Sequence, residues 1–289
     1  VGDNADDSQS VLYQQFVAES TVAGNVTMDA WDDNTATLSF TSITGNMDMT
    51  SDLGSNDLIL GEFNADPELV KSAAIQGAVT MTASGGNLLT AYGFWHYPAF
   101  GPDSSIPANE IVLPGSPVSV VNEMLYAPSE IGSVAMTADT LDNTVILEYT
   151  EVHGLLSMDA VDGDNSLTVD GIVIPEYTST AVPNFGDVLV PEETILSELE
   201  GGVLMNAANG AIPTDGGSNT AAIGLTNVTG DVDMFAYVDN SLTLSDSIVT
   251  GSIITNAFTG SNTVDIDPST TGNIDMDAEI DNSLTVIGD

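Results

Sequence analysis

The residues best equipped for chemistry in this sequence are carboxylates. There are 43 Asp and Glu against one basic residue, Lys71, which gives a formal charge of −42 over 289 residues. Oxygen-rich turns suit calcium, and two local clusters stand out: Asp162-Gly163-Asp164-Asn165, and Asp231 and Asp233 with Asp239. Neither matches a calcium-loop motif at full spacing, and the Gly-Gly-x-Gly-x-Asp nonapeptide is missing. Calcium is therefore kept as a candidate, and no other cofactor is expected. Paired carboxylates can also hydrolyse glycosides, but catalysis needs more than carboxylates. His96 and His153 sit in no motif, Arg is absent, and one Lys leaves developing negative charge without protein cations. No catalytic residue is assigned, and the chain is expected not to be an enzyme.

The same charge bounds the partners. Phosphate recognition needs Lys and Arg, so nucleic acid is excluded, and anionic membrane surfaces are poor partners for the same reason. At low salt so acidic a body repels itself, and in seawater or brine that repulsion is screened. Hydrophobic content of 42% is enough for a core. No apolar run of about 18 residues occurs, so no transmembrane segment is expected. There is no cysteine, hence no disulfide framework. The sequence starts at Val1, as it would after removal of a secretory signal, and a secreted or cell-surface location is expected.

A second candidate site is aromatic. Phe94, Trp95, Tyr97 and Phe100 lie in a stretch, residues 93–131, that holds six of the twelve prolines. Proline at that density excludes a regular central strand or helix. The patch reads either as a loop folded onto the body or as a contact surface for a neighbouring subunit or a glycan.

The elements that must position these residues are set by a repeat. Nine copies begin at Gly24, Gly45, Gly77, Gly132, Gly154, Gly201, Gly230, Gly251 and Gly272. Eight of the ten methionines stand four residues after a glycine: Met28, Met49, Met81, Met136, Met158, Met205, Met234 and Met276, with Thr255 in the remaining copy. An asparagine follows in every copy: Asn34, Asn56, Asn87, Asn143, Asn165, Asn219, Asn240, Asn262 and Asn282. Apolar residues alternate on both sides of it, as in Leu242 and Leu244 or Leu284 and Val286. Two period-2 runs per copy read as two strands, each with one buried face. A third short segment leads to the next glycine, with an apolar residue two positions before it in seven copies, among them Ile43, Val152 and Val249.

One such coil cannot bury its own apolar face, whereas stacked coils can. The fold expected is all-β: a parallel β-solenoid of about nine coils of ~21 residues, roughly 40 Å long. Met, Val and Leu would form inward ladders, and the asparagines a ladder of amides at an inside corner. One domain over 1–289 is expected. Residues 1–23 are an N-terminal arm and partial first coil, with Val11, Leu12 and Phe16 in a strand or short capping helix. Insertions are expected near 61–76, 93–131, 171–200 and 209–217. Asp66-Pro67 reads as a helix start, and the tail of the third insertion, 191–200, as one or two helical turns.

The plan Gly-Asn-Val/Ile-x-Met-x-Ala … Asp-Asn-Ser-Leu-Thr-Val, clearest from Gly24, Gly45 and Gly272, resembles secreted β-solenoid fibre proteins and filamentous adhesins of bacteria. It is similar to the Fap-type functional amyloids. The resemblance implies an extracellular structural protein and carries no functional residue over. A solenoid ends in unpaired strand edges, so the reading is a subunit that stacks on itself head to tail into a surface filament or biofilm-matrix fibre. Leu284 and Val286 at one end, with Val11, Leu12 and Phe16 at the other, are the expected assembly interface. The alternative is a monomeric adhesin segment binding a glycan or protein through residues 94–100. Thr rows such as Ser241-Leu-Thr243 keep an ice-binding solenoid as a minor option, and a polysaccharide-active β-helix enzyme is another.

Overall fold

The computed structural model describes residues 20–39, 41–61, 72–95, 111–112, 119–120, 126–174, 176–179, 188–190, 192–208 and 215–288. Among them every regular element is a strand, and two large parallel sheets dominate. The protein is a parallel β-solenoid.

Each coil is built by alternation. In Leu156–Ala160 and Asn165–Asp170, residues one apart fall alternately inside and outside, so every second side chain is buried. The segments that follow each glycine form one face, from Val26–Ala30 to Ile274–Ala278. The segments that open on each asparagine form a nine-stranded sheet, from Asn34–Leu38 to Asn282–Val286. Short third-face strands, such as Thr150–Val152 and Thr226–Val228, join the first sheet at its side. Ala74–Ala83 and Ser129–Ala138 run through both faces, and their pairing shifts register between Ile131 and Ser133.

The register holds the sequence repeat residue on residue. Met28 faces Met49, Met49 faces Met81, and the row runs through Met136, Met158, Met205 and Met234 to Thr255 and Met276. The six methionines from Met49 to Met234 are fully buried, while Met28 and Met276 in the first and last coils are partly so. Thr255 is buried in their row, and its hydroxyl has no hydrogen-bond partner among the described residues. The glycines that open the coils stack backbone on backbone. A Cβ at Gly251 would lie 2.3 Å from the Gly230 carbonyl oxygen, so no larger residue fits without parting the coils.

The insertions leave this stacking intact. Asn87–Tyr92 pairs directly with Asn143–Glu148 across the longest one. Within residues 93–131, Phe94–Trp95 pairs antiparallel with Tyr126–Ala127, and Ile111–Val112 with Ser119–Val120. Within 171–200, Ile172–Ile174 pairs antiparallel with Glu193–Ile195, and Tyr177–Ser179 with Val188–Val190. The helical turns expected over 191–200 are absent: Glu193–Ile195 and Ser197–Leu199 are strands. The β-branched run Ile172-Val173-Ile174 supplies a partner for the first. Leu199 fills the third-face core position, fully buried, in the second. Partner strands thus outweigh a weak local helix preference. Asp66-Pro67, Val11, Leu12 and Phe16 lie outside the described residues.

Candidate functional site: the ladders and the open end coils

The asparagine corner is a continuous chain of amides. The Nδ2 of each asparagine donates to the Oδ1 of the next: Asn34 to Asn56, Asn56 to Asn87, Asn87 to Asn143, Asn143 to Asn165, Asn165 to Asn219, Asn219 to Asn240, Asn240 to Asn262 and Asn262 to Asn282, all at 2.8–3.0 Å. The second proton of each donating amide meets a backbone carbonyl of the following coil, as from Asn165 to Asn206 at 2.8 Å. From Asn34 to Asn262 the side chains are buried. A buried polar group left unpaired costs about 1–3 kcal/mol, so this pairing is what makes burial of an amide in every coil tolerable. The chain of donors has one direction, from the first coil towards the last.

The aspartates beside the asparagines cap the next coil. Asp33 Oδ1 accepts from Ser55 N–H at 2.8 Å, Asp142 from Asp164, Asp164 from Ser218 and Asp239 from Ser261. At the glycine corner, Asn25 accepts from Asn46 N–H, Asn46 from Ala78 and Asp231 from Ser252. These bonds occupy one oxygen each of Asp164, Asp231 and Asp239 and none of Asp162 or Asp233. Asp162 and Asp164 share one turn, but the strand Val232–Ala236, about 17 Å of chain, holds Asp231 and Asp239 at opposite corners. Burial first, and then the neighbouring Asp231, raise the Asp233 carboxyl above its ordinary pKa. Among the described residues no three His, Asp or Glu side chains converge.

A second polar ladder escaped the sequence reading. Ser129, Thr150, Ser197, Thr226 and Ser247 are buried at the corner between the asparagine sheet and the third face. Thr150 N–H donates to Ser197 Oγ at 3.2 Å, and Ser197 Oγ–H to the Asp170 carbonyl at 2.6 Å. Thr226 N–H donates to Ser247 Oγ, and Ser247 N–H to Ser269 Oγ. The signal was present: a Ser or Thr stands three or four residues before the glycine in each of these copies. In three coils the residue just before the hydroxyl, Tyr149, Leu225 or Asp246, holds a left-handed backbone with φ of 44–49°.

Outside this corner the third face carries a stack of carboxylates. Glu130 lies opposite Glu151, and Glu151 opposite Glu198. Burial, then Glu198 and Glu130, raise the Glu151 carboxyl above its ordinary pKa, while His153 opposes the shift. His153 Nδ1 lies 3.2 Å from Glu200. Glu148 and Asp170 face each other on adjacent strands, and burial raises both.

The end coils differ from the rest. Leu284 and Val286 in the last coil are 49% and 63% exposed, whereas their counterparts Val264 and Ile266 one coil earlier are fully buried. The strand Ser20–Val22 pairs in parallel with Thr41–Ile43 ahead of the first full coil. Phe94 and Trp95 lie in a short antiparallel ladder, while Tyr97 and Phe100 are outside the described residues. Among the described residues no helix is long and apolar enough to cross a membrane. No family model, no curated protein and no solved structure matches the chain.

Proposed function

We propose that this chain is a non-catalytic structural subunit, working outside the cell, that stacks on copies of itself head to tail to form a filament. The observation that supports this reading is the match between the first and last coils. Val26, Met28, Ala30, Asn34, Ala36 and Leu38 have the same spacing as Ile274, Met276, Ala278, Asn282, Leu284 and Val286. A second copy laid on the last coil at the interior register would continue the methionine row. The Asn282 amide would donate to Asn34 Oδ1, the bond type repeated along the whole rod. Asn273 and Asp281 would cap the backbone N–H groups of Asn25 and Asp33, as Asn25 and Asp33 themselves cap the second coil. A contact of this kind is heterologous and repeats without closing.

The joint would carry an electrostatic cost. Along the main strands of the first sheet an outward Asp faces a neutral residue, as Asp29 faces Thr50 and Asp277 faces Asn256. At the joint Asp277 would face Asp29, and Asp281 would lie over Asp33. Like charges at strand spacing repel, and salt screens them. Assembly is therefore expected to rise steeply between about 0.05 M and 0.5 M NaCl. The test is electron microscopy with light scattering over that range, on the protein and on Leu284→Asp/Val286→Asp. Filaments of the protein at high salt, and none of the variant, support the reading. A protein that stays unassembled at every salt concentration, or a variant that polymerises equally well, overturns it.

A further inference from the structure

One corner of the rod bears an apolar row that lies outside the core. The turns from the first sheet to the asparagine sheet expose Trp31, Leu53, Leu141, Val238, Phe258 and Ile280, each between 37% and 70%. Backbone bonds lay these turns over one another: Leu53 N–H donates to the Trp31 carbonyl, Thr259 N–H to that of Tyr237, and Ile280 N–H to that of Gly260. The Tyr237 and Phe258 rings stack with centroids 6.2 Å apart. Single exposed apolar residues are ordinary on any protein. Here the exposed side chain recurs in the same turn of coils one, two, four, seven, eight and nine, in two stretches along the rod separated by coils five and six, where the 209–217 insertion leaves this corner.

Carboxylates flank both stretches. Asp32 and Asp33 follow Trp31, Asp52 precedes Leu53, Asp142 follows Leu141, Asp239 follows Val238, and Glu279 and Asp281 bracket Ile280; all are exposed. Asp33, Asp142 and Asp239 use one oxygen to cap the next coil, and their charge still faces solvent. A second copy of the chain is a poor cover, because it brings the same −42 charge and one lysine. The complementary surface must be positive and apolar together.

We propose that this corner docks a cationic protein segment that alternates basic and apolar residues and lies lengthwise along the rod. Arg and Lys stems cover the apolar row while their charged ends reach the flanking carboxylates. Trp31 and Phe258 add ring faces for those cations. Coils recur about every 4.8 Å, whereas same-side residues of an extended segment recur about every 6.7 Å. The surface is thus matched by composition rather than residue by residue, and it accepts a class of segments.

The probes are two labelled peptides of equal charge, one of repeating Arg-Leu and one of repeating Arg-Ser. Their binding to the whole chain is followed by fluorescence anisotropy in about 0.3 M NaCl, where long-range attraction is screened. The Arg-Leu peptide is expected to bind about tenfold more tightly. Leu141→Ser/Val238→Ser/Phe258→Ser, which keeps every charge, is expected to reduce that preference to about twofold or less. Leu155→Ser/Ile248→Ser, on exposed apolar residues elsewhere, should leave it unchanged. Binding should also shift Trp31 emission to the blue in a Trp95→Phe background, a reading that needs no ridge substitution. Equal affinity for the two peptides, a preference that survives the ridge variant, a preference lost equally in the Leu155/Ile248 control, or an unmoved Trp31 emission each overturns the proposal. All of these measurements are made in the Leu284→Asp/Val286→Asp background, so that none of the outcomes depends on whether filaments form.

Discussion

The two buried polar corners of the solenoid solve one problem with different side chains. Nine coils place an asparagine at one corner, whereas the other uses Ser or Thr in most coils and Ala73 in one. An amide has two donors and an acceptor, so it can bond the next side chain and a carbonyl of the next coil together. Each asparagine therefore depends on the one above and the one below. A hydroxyl has one proton. At its corner that proton goes to a nearby carbonyl, and the link between coils is a backbone N–H donated to the oxygen, as from Thr150 to Ser197. The hydroxyl corner is consequently a set of separate links, and three of the four insertions depart there, near 61–76, 93–131 and 171–200. The one that departs at the asparagine corner, near 209–217, still returns the chain in register, with Asn219 between Asn165 and Asn240.

Substitutions can break or sharpen that contrast. The largest effect is expected from Asn165→Leu, which keeps the volume and removes the amide. Asn143 then loses its acceptor, and Asn206 O and Asn219 Oδ1 lose their donor, a cost of about 3–5 kcal/mol. Urea unfolding followed by circular dichroism would register it, and a loss under 1 kcal/mol would mean that the amide chain is incidental to stability. Ser197→Ala should cost less, about 1–2 kcal/mol, because only Thr150 N–H and the Asp170 carbonyl lose a partner. If the two losses came out equal, the distinction between a coupled and an uncoupled corner would fail.

Asp246→Gly sharpens the comparison from the other side. Asp246 sits in the hydroxyl corner with φ of 49°, where glycine carries no steric penalty, and a gain of about 0.5–1 kcal/mol is expected. Unchanged stability would show that the left-handed turns there are not strained. The last effect is on pH. Glu151 and Glu148 have folded pKa values raised above 4.5, chiefly by burial, so the folded state holds their protons more tightly than the unfolded chain does. Their contribution is fully present below pH 4.5 and is lost as pH rises through the raised values. Thermal unfolding should therefore show a modest decline in stability as pH rises past that window, and Glu151→Gln should flatten it. A profile that Glu151→Gln leaves unaltered would exclude the Glu130, Glu151 and Glu198 stack as its source.

Much of this fold was legible in the residues because the repeat is written at two periods together. Alternation gives strands, and a recurrence of ~21 residues gives coils. Methionine was readable because eight of ten occupy one repeat position, and asparagine because it recurs at one place in all nine copies. The hydroxyl corner was not read, because Ser and Thr are common throughout the chain and their distance to the glycine varies between three and four. Over 191–200 the local pattern favoured helical turns, and Ile172–Ile174, about twenty residues away, made it a strand. The caps that Asp164, Asp231 and Asp239 place on the next coil were not legible either, since composition alone does not reveal which backbone N–H groups lie against a carboxylate.

The sequence by itself determined that there are coils, what lies inside them and which residue turns the asparagine corner. Those follow from periodicity, which is a property of the chain taken one residue after another. Only the tertiary structure decided what each polar group bonds to, which apolar turns share one edge and how deeply each coil's apolar residues are buried. Those are relations between residues twenty to sixty apart, and they exist only once one coil is laid on another.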